Sequence, residues 1–348
     1  MLIGAIEGGG TKFICAIALF DPDDSAEKKP EIIEQIRIPT EGPEVTLAAA
    51  SDFFRAAQDG RRESRQGLKV RGGLNIEALG LGMFGPVECD TRSPRWGYLL
   101  NTPKPRWSDI DVAYRLQREL GVPVRLETDV AAAALGEWKW GAGRGAKVCV
   151  YVTVGTGIGA GILVDGAPLR GHFHPEVGHM RVPKIVKDLG AKASGGHSSL
   201  RGRGESAGSG QFADTGFEDE KFKGVCIHHG DCLEGLASGP AIKARWGIAP
   251  EDLPADHPAW RLEAEYLALA FSNIALTVAP DRIIVGGGIG LHDGLLDMVA
   301  ERMNGLLGGY IQALDSADAI RRYIARAELG ADAGILGAAQ LGWEAARP

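Results

Sequence analysis

Apolar positions along the chain fall into short β-branched runs that stop on glycine and longer runs with helical spacing. LIGAIE near the N-terminus reads as a strand, Gly8-Gly9-Gly10-Thr11 as a turn and FICAIALF as a returning strand. The pattern recurs after position 147. Val148, Val150, Val152 and Val154 predict a buried strand, Gly155-Thr156-Gly157-Ile158-Gly159 a second glycine turn, and Ile162-Leu163-Val164 the return to a turn at Asp165-Gly166. Further strands are expected at 32–38, 76–83, 124–126 and 281–285, the last ending on Gly286-Gly287-Gly288-Ile289-Gly290.

Leu47, Ala50, Phe54 and Ala57 predict a helix opened by Pro43 and Glu44. Ser108 and Asp111 have the spacing of a capping box for a helix reaching Leu120, with Gly121 and Pro123 as its stop. Helices are also expected over VAAAALGEW after Thr128-Asp129, from Glu234 through Pro240, over 260–279, and over the small-residue stretch about 330–346. Gly330, Ala331, Ala333, Gly334, Gly337, Ala338 and Ala339 would let that last helix pack backbone to backbone, returning to the N-terminal part. The charged stretch 61–71 reads as a solvated connection. Residues 188–220, rich in Gly, Ser and charge, read as a flexible insertion. These elements predict an α/β protein of two domains with a cleft between them. A smaller one spans 1–122 and carries the terminal helix, and a larger one spans 123–329.

Composition narrows the function classes. A net charge of -7 leaves no basic footprint for nucleic acid. The N-terminus lacks a basic n-region, and Gly4, Glu7 and Lys12 interrupt its apolar residues, so neither a leader nor a membrane span is expected. Five cysteines in 348 residues do not make a disulfide framework, and a reducing cytoplasm with a metal site fits better.

The glycine turns carry the first candidate chemistry. Glycines at alternate positions let backbone N–H groups approach an anion closely. Gly155, Gly157 and Ala160 formally fit a dinucleotide fingerprint, but that motif needs a following helix, and the sequence continues as a strand. The duplicated strand–turn–strand unit instead suits two facing cups around a polyphosphate. Glu176 and His179 form a polar pair suited to a hydroxylated substrate or a metal. Cys226, His229 and Cys232 hold three N/S donors in one short loop, to which His179 adds a fourth, a set that suits tetrahedral zinc in a structural role. His228 and His197 compete as donors; the symmetric spacing favours His229. Asp129 opens a predicted helix, and from the residues alone the simplest reading is an N-cap, although Thr128 could serve instead.

In combination these motifs resemble the ROK family of sugar kinases, most closely its zinc-containing fructokinase branch. The carriers are Glu7 to Lys12, Thr102-Pro103-Lys104-Pro105, Thr128-Asp129, Gly155 to Gly159, Glu176-x-Gly-His179, the Cys226/His229/Cys232 loop, Ala237-Ser238-Gly239-Pro240 and Val285 to Gly288. The resemblance implies an actin-like ATPase (ribonuclease H-like) fold and MgATP-dependent phosphorylation of a hexose, expected to be fructose at O6. It makes Asp129 the general base, against the capping reading. It puts Glu176, His179, Thr102 and Lys104 on the sugar, and Gly9, Gly10, Thr11, Lys12, Gly155, Thr156 and Gly157 on the phosphates. Pro240 and residues Gly286, Gly287, Gly288, Ile289 and Gly290 would line the adenosine. Glucose, mannose or an N-acyl-hexosamine is the alternative substrate, and a sugar-responsive regulator the alternative class. Such regulators place a DNA-binding segment before the first strand, whereas here strand one is expected to begin at Leu2. A homodimer is also expected from the resemblance.

Overall fold

The computed structural model describes residues 1–21, 28–59, 74–185 and 219–347. The expected connection at 61–71 and nearly all of the expected insertion at 188–220 lie outside these residues.

Two five-stranded sheets carry the chain, and they share one topology. In the first, β1 (Leu2–Gly8), β2 (Lys12–Leu19) and β3 (Glu31–Pro39) form an antiparallel meander. After α1 (Pro43–Gln58), β4 (Ile76–Met83) pairs parallel with β1. A two-stranded ribbon, β5 (Tyr98–Leu99) with β6 (Ile110–Asp111), precedes α2 (Ala113–Leu120). Next, β7 (Val124–Thr128) completes the sheet in the order β3-β2-β1-β4-β7. Residues 124–128 thus belong with the N-terminal layers, just beyond position 122.

The second sheet repeats the plan after α3 (Asp129–Trp140). β8 (Val148–Val154), β9 (Ile158–Val164) and β10 (Ala167–Pro168) form its meander. Three helices follow: α4 (Leu233–Ala237), α5 (Gly239–Trp246) and α6 (Pro258–Thr277). β11 (Arg282–Gly286) then pairs parallel with β8. α7 (Leu295–Leu307) and α8 (Ala317–Tyr323) lead to β12 (Ile324–Arg326), the outer strand in the order β10-β9-β8-β11-β12, and α9 (Ala333–Ala345) ends the fold.

The helices that follow the last strands cross over. α3 leaves the first sheet and packs on β8 and β9 of the second, while α9 leaves the second and packs on β1 and β4 of the first. Between the sheets α3 and α9 pack on each other, and small residues make that approach close. A Cβ on Gly337 would lie 1.6 Å from the Ala132 carbonyl oxygen, and one on Gly136 2.4 Å from that of Ala333. Gly80 on β4 is as tight, 1.8 Å from the Ala338 oxygen. The backbone-to-backbone packing expected of the glycine- and alanine-rich terminal helix is therefore present.

Apolar cores fill the outer layers. Phe53, Phe54 and Leu47 of α1 are buried against the first sheet. Trp107, also fully buried, packs on Phe13 and Phe84 and donates its indole N–H to the Glu41 carbonyl at 2.8 Å. Trp260, Tyr266 and Phe271 of α6 do the same work for the second sheet.

Four local expectations are corrected. Ser108 is not a cap: the chain stays extended through Asp111 because Ile110–Asp111 pairs with Tyr98–Leu99, and Asp111 Oδ1 accepts from the Tyr114 amide at 3.0 Å. Ser108 instead donates to the Thr102 carbonyl. Thr128 takes the cap of α3, its hydroxyl oxygen accepting from the Ala131 amide at 3.1 Å. The expected helix through 234–240 breaks at Ser238, because the Gly239 amide leaves the spiral to donate to the Gly155 carbonyl at 2.8 Å. Finally, Asp219, inside the expected insertion, is buried in an ion pair with Arg245 at 2.8 Å and accepts from the Tyr266 hydroxyl.

Candidate active site and metal loop

Each meander places its glycine turn at the same end of its sheet. The first is closed by Gly9 N–H donating to the Lys12 carbonyl at 2.9 Å, and Thr40 braces it from both groups, donating its hydroxyl to Gly9 O and its amide to Thr11 O. Gly10 and Thr11 remain exposed. Lys104 brings the rigid 102–105 loop over this turn, its ammonium donating to the Gly10 carbonyl at 2.5 Å. Thr102 is buried within that loop, where its hydroxyl oxygen faces the Lys104 amide at 3.4 Å.

The second turn is closed by Gly155 N–H on the Gly157 carbonyl at 2.9 Å, and the other expected nucleotide residues gather around it. Gly239 is bonded to Gly155 and sets Pro240 in the first turn of α5. Ile289 and Gly290 donate their amides to the Val154 carbonyl at 3.0 and 3.2 Å. Gly287 adopts φ 81° and would drive a Cβ to 2.3 Å from that same oxygen, so only glycine fits the bend. Residues 155–157, 239–240 and 286–290 are one cluster at the ends of β8 and β11.

Asp129 begins α3 at the carboxyl end of β7. With Thr128 as cap, its carboxylate is freed from helix duty; Oδ1 accepts from the neighbouring Val130 amide at 2.9 Å. Burial pushes its pKa up to about 6, against the pull of the backbone amides. Burial raises Glu7, beside the first glycine turn, and Glu176 each to about 7; the Asp129 charge is the next cause at Glu7 and follows that of Glu234 at Glu176. Glu7 Oε2 is buried without a hydrogen-bond partner among the described residues, in a space that Gly334 of α9 keeps open; a Cβ there would sit 2.6 Å from the Glu7 carboxyl carbon.

Glu234 was missed by the sequence reading. It lies two residues after Cys232, its Oε2 accepts from the Ile158 amide at 3.0 Å, and its charge is the second cause of the raised Glu176 pKa. Its position directly after the metal-type loop was the available signal. Clustered carboxylates accept hydrogen bonds but cannot donate them when ionised, so this end of the cleft suits a neutral ligand rich in hydroxyl donors.

His179 sits in a short 3-10 turn among three sulfur and nitrogen donors. Its Nδ1 lies 3.7 Å from Cys226 Sγ, 3.6 Å from Cys232 Sγ and 3.3 Å from His229 Nδ1. All four donor atoms fall within 4.8 Å of one another, and the set contains His229 rather than His228. Burial is the main cause that lowers the His179 pKa, which keeps the imidazole neutral as metal ligation requires.

A family model described as the ROK family matches residues 3–344. The chain belongs to the ROK family. The fructokinase of Zymomonas mobilis is 36% identical over 97% of this chain and 95% of its own length, and that of Pediococcus pentosaceus 32% identical over 97% and 96%. The ROK hexokinase of Thermus thermophilus superposes with a TM-score of 0.67 at 24% identity, over 99% of this chain and 98% of that one. That likeness concerns the fold, and the actin-like ATPase architecture expected of a ROK protein is the one present here.

Proposed function

We propose that this ROK protein transfers the γ-phosphoryl group of ATP to a hexose, with O6 of fructose as the acceptor and Asp129 as the general base. The observation that carries this reading is the position of Asp129 at the head of α3, electrostatically coupled to Glu7 beside the first glycine turn and to Glu176 beside the metal loop. Full-length likeness to fructokinases supports fructose over glucose, mannose or an N-acyl-hexosamine.

The glycine turns at 9–12 and 155–157 would cradle the phosphates, with residues 239–240 and 286–290 around the adenosine. Glu176, Glu234 and the outer nitrogen of His179 would accept from or donate to the sugar hydroxyls. Asp129 takes the proton from O6 as the O6–P bond forms and the bond from phosphorus to the bridging oxygen breaks, leaving ADP; the proton then passes to solvent. Mg²⁺, which such a transfer uses to neutralise phosphate charge, would have a fitting partner in Glu7, whose buried Oε2 has no hydrogen-bond partner among the described residues.

The Cys226, Cys232, His179 and His229 donors fit zinc. Four of the six separations among these donors, 3.3 to 3.7 Å, are those of edges of a tetrahedron built from bonds of about 2.0 to 2.3 Å, and all six lie within 4.8 Å. Four protein donors would leave zinc no open position, so the residues fit an ion that would orient His179 rather than activate substrate. A cytoplasmic homodimer belongs to the same reading and is checked by sedimentation. The function is tested by ADP release over a panel of hexoses. Fructose is expected to give the highest kcat/KM, and absence of turnover with every hexose would discard the reading.

A further inference from the structure

Glu176 is delivered by the segment that runs from β10 to the His179 turn, and this segment is fastened to the first sheet's side of the cleft at two points. Arg170 pairs with the buried Glu127 at 2.6 Å and donates to the Cys89 carbonyl at 2.8 Å. Four residues on, His174 is largely buried, with its two ring nitrogens engaged in opposite directions. The Val87 amide donates to Nε2 at 3.4 Å, and Nδ1 faces Glu176 Oε1 at 3.3 Å.

The chemistry of these two contacts fixes the tautomer. An amide can only donate, so Nε2 carries the lone pair and the ring proton is on Nδ1, beside the Pro175 backbone and 3.3 Å from Glu176 Oε1. Burial lowers the His174 pKa, which favours the neutral ring. Gly85 flanks both groups; a Cβ there would stand 3.4 Å from the imidazole and 3.7 Å from Glu176 Oε1. The imidazole is therefore wedged between the turn that follows β4 and the carboxylate proposed to hold the sugar. A cleft of about 430 Å³, lined by Pro86, Arg170, Phe173, His174 and Glu176 among others, opens beside it.

We infer that His174 is a positioning residue for hexose binding: by spanning the Val87 amide and the Glu176 carboxylate it sets the direction in which Glu176 accepts from the sugar. This rests on the hexose-kinase reading, because it gives Glu176 a sugar to hold. It does not touch ATP, so its effect is confined to one substrate.

The test compares wild type with His174→Phe, which keeps a ring but loses both nitrogens, and His174→Asn, which keeps an amide N–H near the Nδ1 position. Fructose affinity is measured by calorimetry without nucleotide and KM for each substrate by ADP release, with melting temperature as the folding control. His174→Phe is expected to weaken fructose binding and raise fructose KM about tenfold, with ATP KM within about twofold of wild type, and His174→Asn to recover most of the loss. Fructose KM unchanged in His174→Phe, or both KM values rising together, or an Asn variant no better than Phe, would each overturn the inference. A wild type that neither binds nor phosphorylates a hexose would instead remove the functional reading beneath it.

Discussion

Glu234 Oε2 accepts the Ile158 amide at 3.0 Å, two residues beyond Cys232 of the Cys/His cluster. One short segment thus supplies a donor to the Cys/His cluster and then a carboxylate that clasps the start of β9, next to the second glycine turn. An ion in the cluster would stiffen both.

Removing that ion is expected to be felt at the sugar. Chelation, or Cys226→Ser, should lower zinc from about one per chain to near zero and raise hexose KM about tenfold or more, with ATP KM changing less. Metal analysis with two-substrate kinetics checks this. Zinc that persists in the Cys226→Ser protein would exclude the loop as its site.

Asp129→Asn preserves shape and removes the base. Turnover is expected to fall by about 10² to 10⁴, with fructose affinity by calorimetry nearly unchanged. Turnover within a few-fold of wild type would show that Asp129 is not the base.

The pH profile has a defined sign. A base works only when ionised, and burial sets Asp129 at about 6. At saturating fructose and MgATP, where protonation of Glu176 and Glu7 (each at about 7) no longer limits binding, kcat is therefore expected to fall as pH drops through about 6 and to flatten on the alkaline side. The residual activity of Asp129→Asn should lack that limb; an identical acid limb in the variant would assign it to another group.

Gly337 has no room for a side chain, since its Cβ would overlap the Ala132 oxygen at 1.6 Å. Gly337→Val is expected to destabilise by about 3 kcal/mol or more, or to prevent folding. A melting temperature near wild type would contradict the close α3–α9 packing.

The buried pair of Arg245 and Asp219 gives a contrast away from the cleft. Arg245 is 4% exposed and Asp219 1%, so Arg245→Met strands a carboxylate in the interior. The expected cost is about 3 to 5 kcal/mol in denaturant unfolding, with KM values of the folded fraction unchanged. A cost below about 1 kcal/mol would mean that water reaches Asp219.

Most of the strand framework was legible because buried strands announce themselves locally. The runs at 76–83 and 148–154 coincide with β4 and β8, and the repeated hairpin led directly to two equivalent sheets. The grouping of the Cys/His side chains was legible for the same reason: three of the four lie within seven residues. What escaped depends on partners distant in sequence. Ser108 looked like a cap until Tyr98–Leu99 held the next residues extended, Asp219 looked solvated until Arg245 and Tyr266 enclosed it, and Glu234 acquired its role only through Ile158. His174 is the same case, since neither of its contacts can be read from the local spacing alone.

The crossed helices have a consequence for any attempt to divide the molecule. α9 is the last element of the chain yet covers β1 and β4, where Ile3, Ala5 and Ala78 meet Ile335, Leu336 and Ala338 in one apolar cluster. A fragment that stops before Ala333 would leave that underside wet, and synthesis must reach the final helical turns before the earliest strands can be sealed. The beginning of the polypeptide is the last part to be finished.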